Sequence, residues 1–275
     1  MITIAKNAGF CFGVERAVNT LEKALCGKEK NERIFTLGTL IHNGVFNAQL
    51  EERGVKITSV DKLEELAKSA SESSPVTVFL RAHGVPKETE EILRALSSKN
   101  PSFKYVDCTC PYVKAIHNIA KKHSSPDNVF LLFGKEEHPE VVGIMSYFDY
   151  EKRTFNSSSE LLELAEQNFF VKIHNKTVVL ASQTTQNLAE WKKSQEILKN
   201  YCTKPLIFDT ICSVTEERQK DAERLSSECD VMIVIGGKES SNTAKLYSVC
   251  KRNCPDTVWI EKADDLSGQF LLQTE

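Results

Sequence analysis

The sequence lacks any run of about 18 consecutive apolar residues, the length a membrane-crossing helix needs, so no transmembrane segment is expected. It lacks an excess of one charge: 35 Lys+Arg stand against 38 Asp+Glu, a net charge of -3. That excludes the basic footprint of a general nucleic-acid binder, although a local pocket can still be positive. Residues Met1 to Phe10 hold no basic stretch leading into an apolar one, so no signal peptide is read there and a cytoplasmic protein is expected. Nor is there the polar bias of a disordered chain, since hydrophobic residues make up 41% and charged ones 27%. At 275 residues the chain can bury sizeable cores without disulfides or structural metals. Nine cysteines, an odd number, in a reducing compartment argue against a disulfide scaffold. Some of them are expected to be plain buried residues and others to be ligands or nucleophiles.

What the chain does contain is a repeat of roughly a hundred residues. Cys11, Cys110 and Cys212 lie in similar surroundings; Cys11 to Cys110 is 99 residues and Cys110 to Cys212 is 102. Each follows a β-like run, Ile2 to Ala5, Lys104 to Val106 and Leu206 to Phe208. Apolar residues then recur at helical spacing, as in Val14, Ala17, Val18 and Leu21, or Val113, Ile116 and Ala120. The stretch after Cys212 is more polar and reads less clearly as a helix.

Farther along each copy a β-run ends in polar residues: His42 and Asn43, His138 and Glu140, and Ser240, Ser241 and Asn242. In the first two copies another run ends at His83 and at Thr184. The third copy should have its equivalent near position 285 by the same spacing, whereas the sequence runs to 275. Strands alternating with helices predict an α/β fold with mostly parallel sheets. Ligands in such folds bind at the carboxyl ends of the strands, where all these polar residues fall. Three units related by pseudo-threefold repetition, 1–108, 109–208 and 209–275, are therefore expected around one shared central site.

Three thiols from three separate segments suit a metal centre better than covalent catalysis, which needs one thiol and a base. Zinc usually draws ligands from close pairs, whereas iron–sulfur clusters take cysteine thiolates, normally four. Histidines, a serine pair, an asparagine and helix-start N–H groups suit an anionic phosphate. Glu140 is a candidate proton carrier. Against these stand plainer readings, namely three buried thiols and a surface carboxylate at a helix start. The segment Gly236-Gly237-Lys238 does not have phosphate-loop spacing, so an NTPase is disfavoured. Cys108 and the remaining five cysteines, together with His117, His123 and His174, are read as core or surface residues. Ser71 to Pro75 and Asn156 to Ser159 are read as loops.

Gly9-Phe-Cys-Phe-Gly-Val-Glu-Arg-Ala-Val18, Thr109-Cys-Pro111, His138-Pro-Glu140, Gln183-Thr-Thr185, Ile211-Cys212 with Arg218-Gln219, and Lys238-Glu-Ser-Ser-Asn242 occur in order along the chain. In these motifs the sequence resembles the 4-hydroxy-3-methylbut-2-enyl diphosphate reductases of the non-mevalonate isoprenoid pathway. The resemblance implies three α/β lobes around a [4Fe-4S] cluster held by Cys11, Cys110 and Cys212. The substrate hydroxyl would occupy the open iron, and two electrons with protons would remove it as water, giving isopentenyl and dimethylallyl diphosphate. His42, His83, His138, Ser240, Ser241 and Asn242 match diphosphate-pocket positions, Glu140 the proton carboxylate, and Thr184 the hydroxyl that orders substrate and water. A ferredoxin- or flavodoxin-like electron donor is implied, and no nucleic-acid or membrane partner. A Gly/Ala/Ser-rich strand–turn that follows the third lobe in the family is not found before Glu275, so an inactive shortened form is one alternative. Two others are a redox sensor using the cluster without turnover, and a zinc hydrolase, which would want a richer set of carboxylates.

Overall fold

The structure is a computed structural model that describes residues 1–203 and 205–266. Its elements fall into three successive groups. The first is α1 (Phe12–Cys26), β1 (Arg33–Leu37), α2 (Gly44–Glu52), β2 (Lys56–Thr58), α3 (Leu63–Ser69), β3 (Val76–Leu80), α4 (Lys87–Lys99) and β4 (Phe103–Asp107). The second is α5 (Pro111–Lys122), β5 (Asn128–Phe133), α6 (Pro139–Ser146), β6 (Lys152–Phe155), α7 (Ser158–Glu166), α8 (Phe169–Lys172), β7 (Thr177–Ser182), α9 (Leu188–Tyr201) and β8 (Leu206–Ile207). The third is α10 (Ser213–Glu228), β9 (Met232–Ile235), α11 (Ser241–Asn253) and β10 (Thr257–Ile260).

Among the described residues every pairing between these strands is parallel. The first sheet runs β2-β1-β3-β4 and the second β6-β5-β7-β8, the same order twice. The third, β10-β9, reproduces the first half of that pattern. The repeat seen in the sequence is thus a repeat of topology.

Parallel sheets are covered on both faces, and the strands here are apolar on both. In β5, Val129, Leu131 and Phe133 face a core built with Leu161, Phe169, Trp191 and Leu198. The alternate residues Phe130 and Leu132 face Ile116, Ala120, Val141 and Ile144. Period-2 alternation therefore places α7 to α9 on one side of the second sheet and α5 and α6 on the other. The first sheet is layered the same way: Val76, Val78 and Leu80 meet Leu63 and Leu93, while Ile34 and Phe79 meet Ala17, Leu21 and Leu50. In the third, Val234 packs on Ala222, Val249 and Cys250, while Ile233 and Ile235 are exposed.

Two local expectations are corrected. Ile2 to Ala5 is not a strand; Ile2 and Ile4 are exposed. The strands before Cys110 and Cys212, β4 and β8, each join the preceding group's sheet beside β3 and β7. The equivalent neighbour for Ile2 to Ala5 would belong to the third sheet. No such strand is found among the described residues, and the expected position near 285 lies outside them. The N-terminal segment does lean on the third group, where the Lys6 amide donates to Asp221 on α10 at 3.0 Å. The second correction concerns Asn156 to Ser159: α7 begins at Ser158, because Ser157 caps it by accepting from the Glu160 amide at 3.1 Å. The polar stretch after Cys212 forms a full helix, held by Ala222 and Leu225 on its buried side.

Candidate functional site

Cys11, Cys110 and Cys212 each occupy the N-cap of a helix, α1, α5 and α10. The carbonyl of each already accepts the first helical bond, from Glu15, Lys114 and Glu216. The Cys110 amide donates to the Ala82 carbonyl at 2.9 Å and the Cys212 amide to the Thr184 carbonyl at 3.0 Å. Ala82 and Thr184 both lie just past the strand next to the sheet centre, so the two cysteines are hung from equivalent loops.

The three helix starts form a closed ring. A side chain at Gly13 in α1 would run into the Cys110 sulfur, so only glycine permits this approach. Arg16 of α1 also donates to the Thr109 carbonyl. Tyr112 of α5 and Ser213 of α10 share a hydroxyl–hydroxyl bond of 3.0 Å. Arg218 of α10 returns to the Gly9 carbonyl at 2.7 Å. The positive ends of three helices therefore meet where the cysteines are.

Burial raises the Cys110 thiol pKa, with the nearby Tyr112 and Val113 N–H groups opposing; Cys11 and Cys212 add like-charge repulsion. Cys212 is raised by burial too, opposed by the Val214 and Thr215 N–H groups, and it feels Cys11 and Glu140. Cys108 is fully buried in the first core and its thiol is pushed up to about 11 by burial, as expected of a structural cysteine. Cys250 and Cys254 are buried and Cys26 is exposed.

His42, His83 and His138, from three different loops, form one cluster. His42 stacks on His83 at 4.0 Å between centroids, and His138 stands edge-on to both at 5.4 and 5.6 Å. Burial drives His83 well below its ordinary range, helped by His42 and His138, and takes His138 down to about 4. His42 is lowered by burial, with Glu239 opposing. All three rings are thus held neutral. His138 Nδ1 accepts the Glu140 amide at 3.1 Å, so its proton resides on Nε2. That Nε2, His42 Nδ1 and His83 Nδ1 are buried without partners. Three orphaned ring nitrogens in one cluster mark a place for a polar ligand.

Glu140, in the first turn of α6, is 1% exposed. Its two carboxyl oxygens accept from the Thr184 amide at 2.7 Å and the Thr184 hydroxyl at 2.9 Å. Burial raises its pKa to about 7, against the lowering effect of both Thr184 bonds. Next along the chain, Thr185 reaches the Ser241 hydroxyl at 3.0 Å and ties the second group to the third. Ser240 caps α11, accepting from the Thr243 amide at 3.3 Å, and Ser241 and Asn242 form the first turn.

The residues singled out from sequence therefore lie at the strand carboxyl ends and helix starts, in contact across all three groups. Sequence reasoning passed over Arg81. This half-buried guanidinium donates to the Gly84 carbonyl at 3.1 Å and lowers all three histidine pKa values. Its only signal was its place one residue past β3. His117 lies outside the cluster, buried and stacked on Tyr147 at 4.4 Å. His174 is exposed and His123 only partly buried.

Three parallel α/β groups with one shared centre of thiols, imidazoles and a single buried carboxyl define the class of protein. The chain belongs to the LytB family, whose model, described as LytB protein, matches residues 2–275. It is similar to the 4-hydroxy-3-methylbut-2-enyl diphosphate reductase of Caldanaerobacter subterraneus, at 37% identity over 98% of this chain and 87% of that protein. The Aquifex aeolicus protein of the same name is 36% identical over 98% of this chain and 86% of its own length. Some relatives are longer: the chain spans 39% of the Clostridium acetobutylicum reductase, at 36% identity. A solved structure of (E)-4-hydroxy-3-methyl-but-2-enyl diphosphate reductase, the terminal enzyme of the non-mevalonate pathway, matches with a TM-score of 0.65 and 33% identity. That match covers 98% of this chain and 89% of the other. The Plasmodium falciparum reductase structure matches with a TM-score of 0.79 at 25% identity, over 97% of this chain and 77% of that one. No helix among the described residues is long and apolar enough to cross a membrane.

Proposed function

We propose that the chain catalyses the reductive dehydroxylation of 4-hydroxy-3-methylbut-2-enyl diphosphate to isopentenyl and dimethylallyl diphosphate. The observation that carries the reading is the histidine cluster with its unpartnered nitrogens beside a buried carboxyl of pKa about 7. An anion site and a proton source, next to three converging cysteines, are what this chemistry requires. The names of the family relatives support the same substrate.

Cys11, Cys110 and Cys212 would hold a [4Fe-4S] cluster. Their donor chemistry fits it. Burial raises the Cys110 and Cys212 thiol pKa values, and a bound positive centre would displace those protons and take up the thiolates. Three cysteines drawn from three separate helix starts, rather than from a close pair, suit a cluster better than one zinc ion. When bound, the cluster would relay the two electrons one at a time from an external donor, and would offer a Lewis-acidic iron to the substrate hydroxyl.

The chain's own residues do the rest. His42, His83 and His138 receive the diphosphate, whose negative charge favours the protonated form that burial alone disfavours. Ser240, Ser241 and Asn242 present hydroxyl, amide and backbone N–H donors at the start of α11. Glu140, whose pKa burial raises to about 7, gives up a proton through the hydroxyl of Thr184. Burial of this pair keeps bulk water from competing. A cluster-holding sensor has no use for such a pair, so the enzyme reading is preferred. The lobes are taken as 1–108, 109–208 and 209–275, the compartment as the cytoplasm, and the electron donor as ferredoxin- or flavodoxin-like.

The test is anaerobic purification with iron, sulfide and zinc analysis, followed by spectra with and without the allylic diphosphate and assay with a chemical reductant. A brown protein whose spectrum responds to the diphosphate and which releases both products is expected. A colourless, zinc-loaded protein without sulfide would sink the proposal.

A further inference from the structure

The pair Gly236-Gly237, which has no phosphate-loop spacing, remains to be explained. Its role is visible at the seam between the third group and the first. A Cβ at Gly237 would collide with the carbonyl oxygen of His42, and would stand 3.1 Å from its carbonyl carbon and 3.2 Å from Asn43 Cα. These are backbone atoms, which cannot swing aside as a side-chain tip can. Gly237 is buried there. On its other side the Gly237 carbonyl accepts the Ser240 amide at 3.0 Å, the turn that sets the first residue of α11. One residue thus touches the main chain of His42 and fixes the position of Ser240.

We propose that Gly237 is a positioning residue that sets the distance between His42 and the Ser240–Asn242 turn, so that both can grip one diphosphate. The inference rests on the reading of this site as a diphosphate site. Any side chain at 237 must push the two loops apart, and the groups are then too far apart for one ligand. Gly236 differs: a Cβ there would meet the Thr243 side chain within the third group itself. The seam therefore needs glycine at 237 for contact between groups, and at 236 for packing inside one.

The experiment compares wild type, Gly237→Ala and Gly44→Ala, each anaerobically purified with its cluster. A methyl at Gly44, the first residue of α2 and two residues past His42, meets nothing within 4 Å, so it controls for altering a glycine beside the same loop. Gly237→Ala should raise KM for the allylic diphosphate at least about tenfold, with kcat within about twofold. It should weaken binding of inorganic diphosphate in titration calorimetry by a similar factor, with cluster absorbance unchanged. Gly44→Ala should match wild type. Equal KM and equal diphosphate affinity in Gly237→Ala and wild type would overturn the proposal. So would insolubility of Gly237→Ala, since a clash between groups should be relieved by their separation rather than by unfolding. Failure of wild type itself to bind inorganic or allylic diphosphate would instead overturn the diphosphate reading.

Discussion

Replacing Glu140 by Gln should make the protein more stable at pH 8 while abolishing its turnover. The reasoning starts from the carboxyl's burial, which raises its pKa from 4.5 to about 7. The unfolded chain releases this proton near 4.5, whereas the folded one holds it to about 7. Between those values the folded state binds more protons, so stability falls as pH rises through the window. A difference of about 2.5 units at 1.36 kcal/mol per unit amounts to about 3 kcal/mol lost in wild type by pH 8. Gln carries no charge and loses none of it. Its carbonyl can still accept the Thr184 amide, and its NH2 can donate to the Thr184 hydroxyl once that hydroxyl turns. Urea unfolding of both proteins at pH 5 and pH 8 measures the effect. Wild type and variant should be close at pH 5, with the variant more stable by about 3 kcal/mol at pH 8. Parallel pH profiles would refute the raised pKa and, with it, the proton-donor role. At the same time the variant should keep its cluster and bind substrate, with turnover falling at least about a hundredfold.

Thr184→Val removes one of the two bonds that hold down the Glu140 pKa, a charge-assisted bond worth about 1.5–3 kcal/mol. The Glu140 step in the stability–pH profile should therefore move upward by about one to two units, while turnover falls because the proton path runs through that hydroxyl. Cys212→Ser replaces a soft thiolate, so iron and sulfide content per chain should fall well below wild type after gel filtration. Trp191 is 1% exposed, stacks with Phe133 and donates from its ring N–H to Asp209 at 2.8 Å. Trp191→Ala should cost about 3–5 kcal/mol in denaturant unfolding, because it empties the core under the second sheet.

The sequence by itself determined the repeat and, from it, the parallel α/β architecture. Spacing and hydrophobic period are local properties that survive in a linear reading. That is why the cysteines emerged as helix-start residues and His42, His83, His138, Thr184 and Ser240 as strand-end residues. It did not determine that Ile2 to Ala5 would be unpaired, because a strand exists only when a neighbour takes its hydrogen bonds. Nor did it tell a surface Glu140 from a buried one; the pKa of about 7 comes from burial and from Thr184, 44 residues away. Arg81 was unremarkable in the chain and Gly237 was noticed only as part of a failed phosphate-loop match; both matter because folding sets one beside three imidazoles and the other against the His42 backbone. Local pattern fixes which residues stand at the ends of strands. Only tertiary packing, which sets desolvation and the distances between charges, decides what those residues can do.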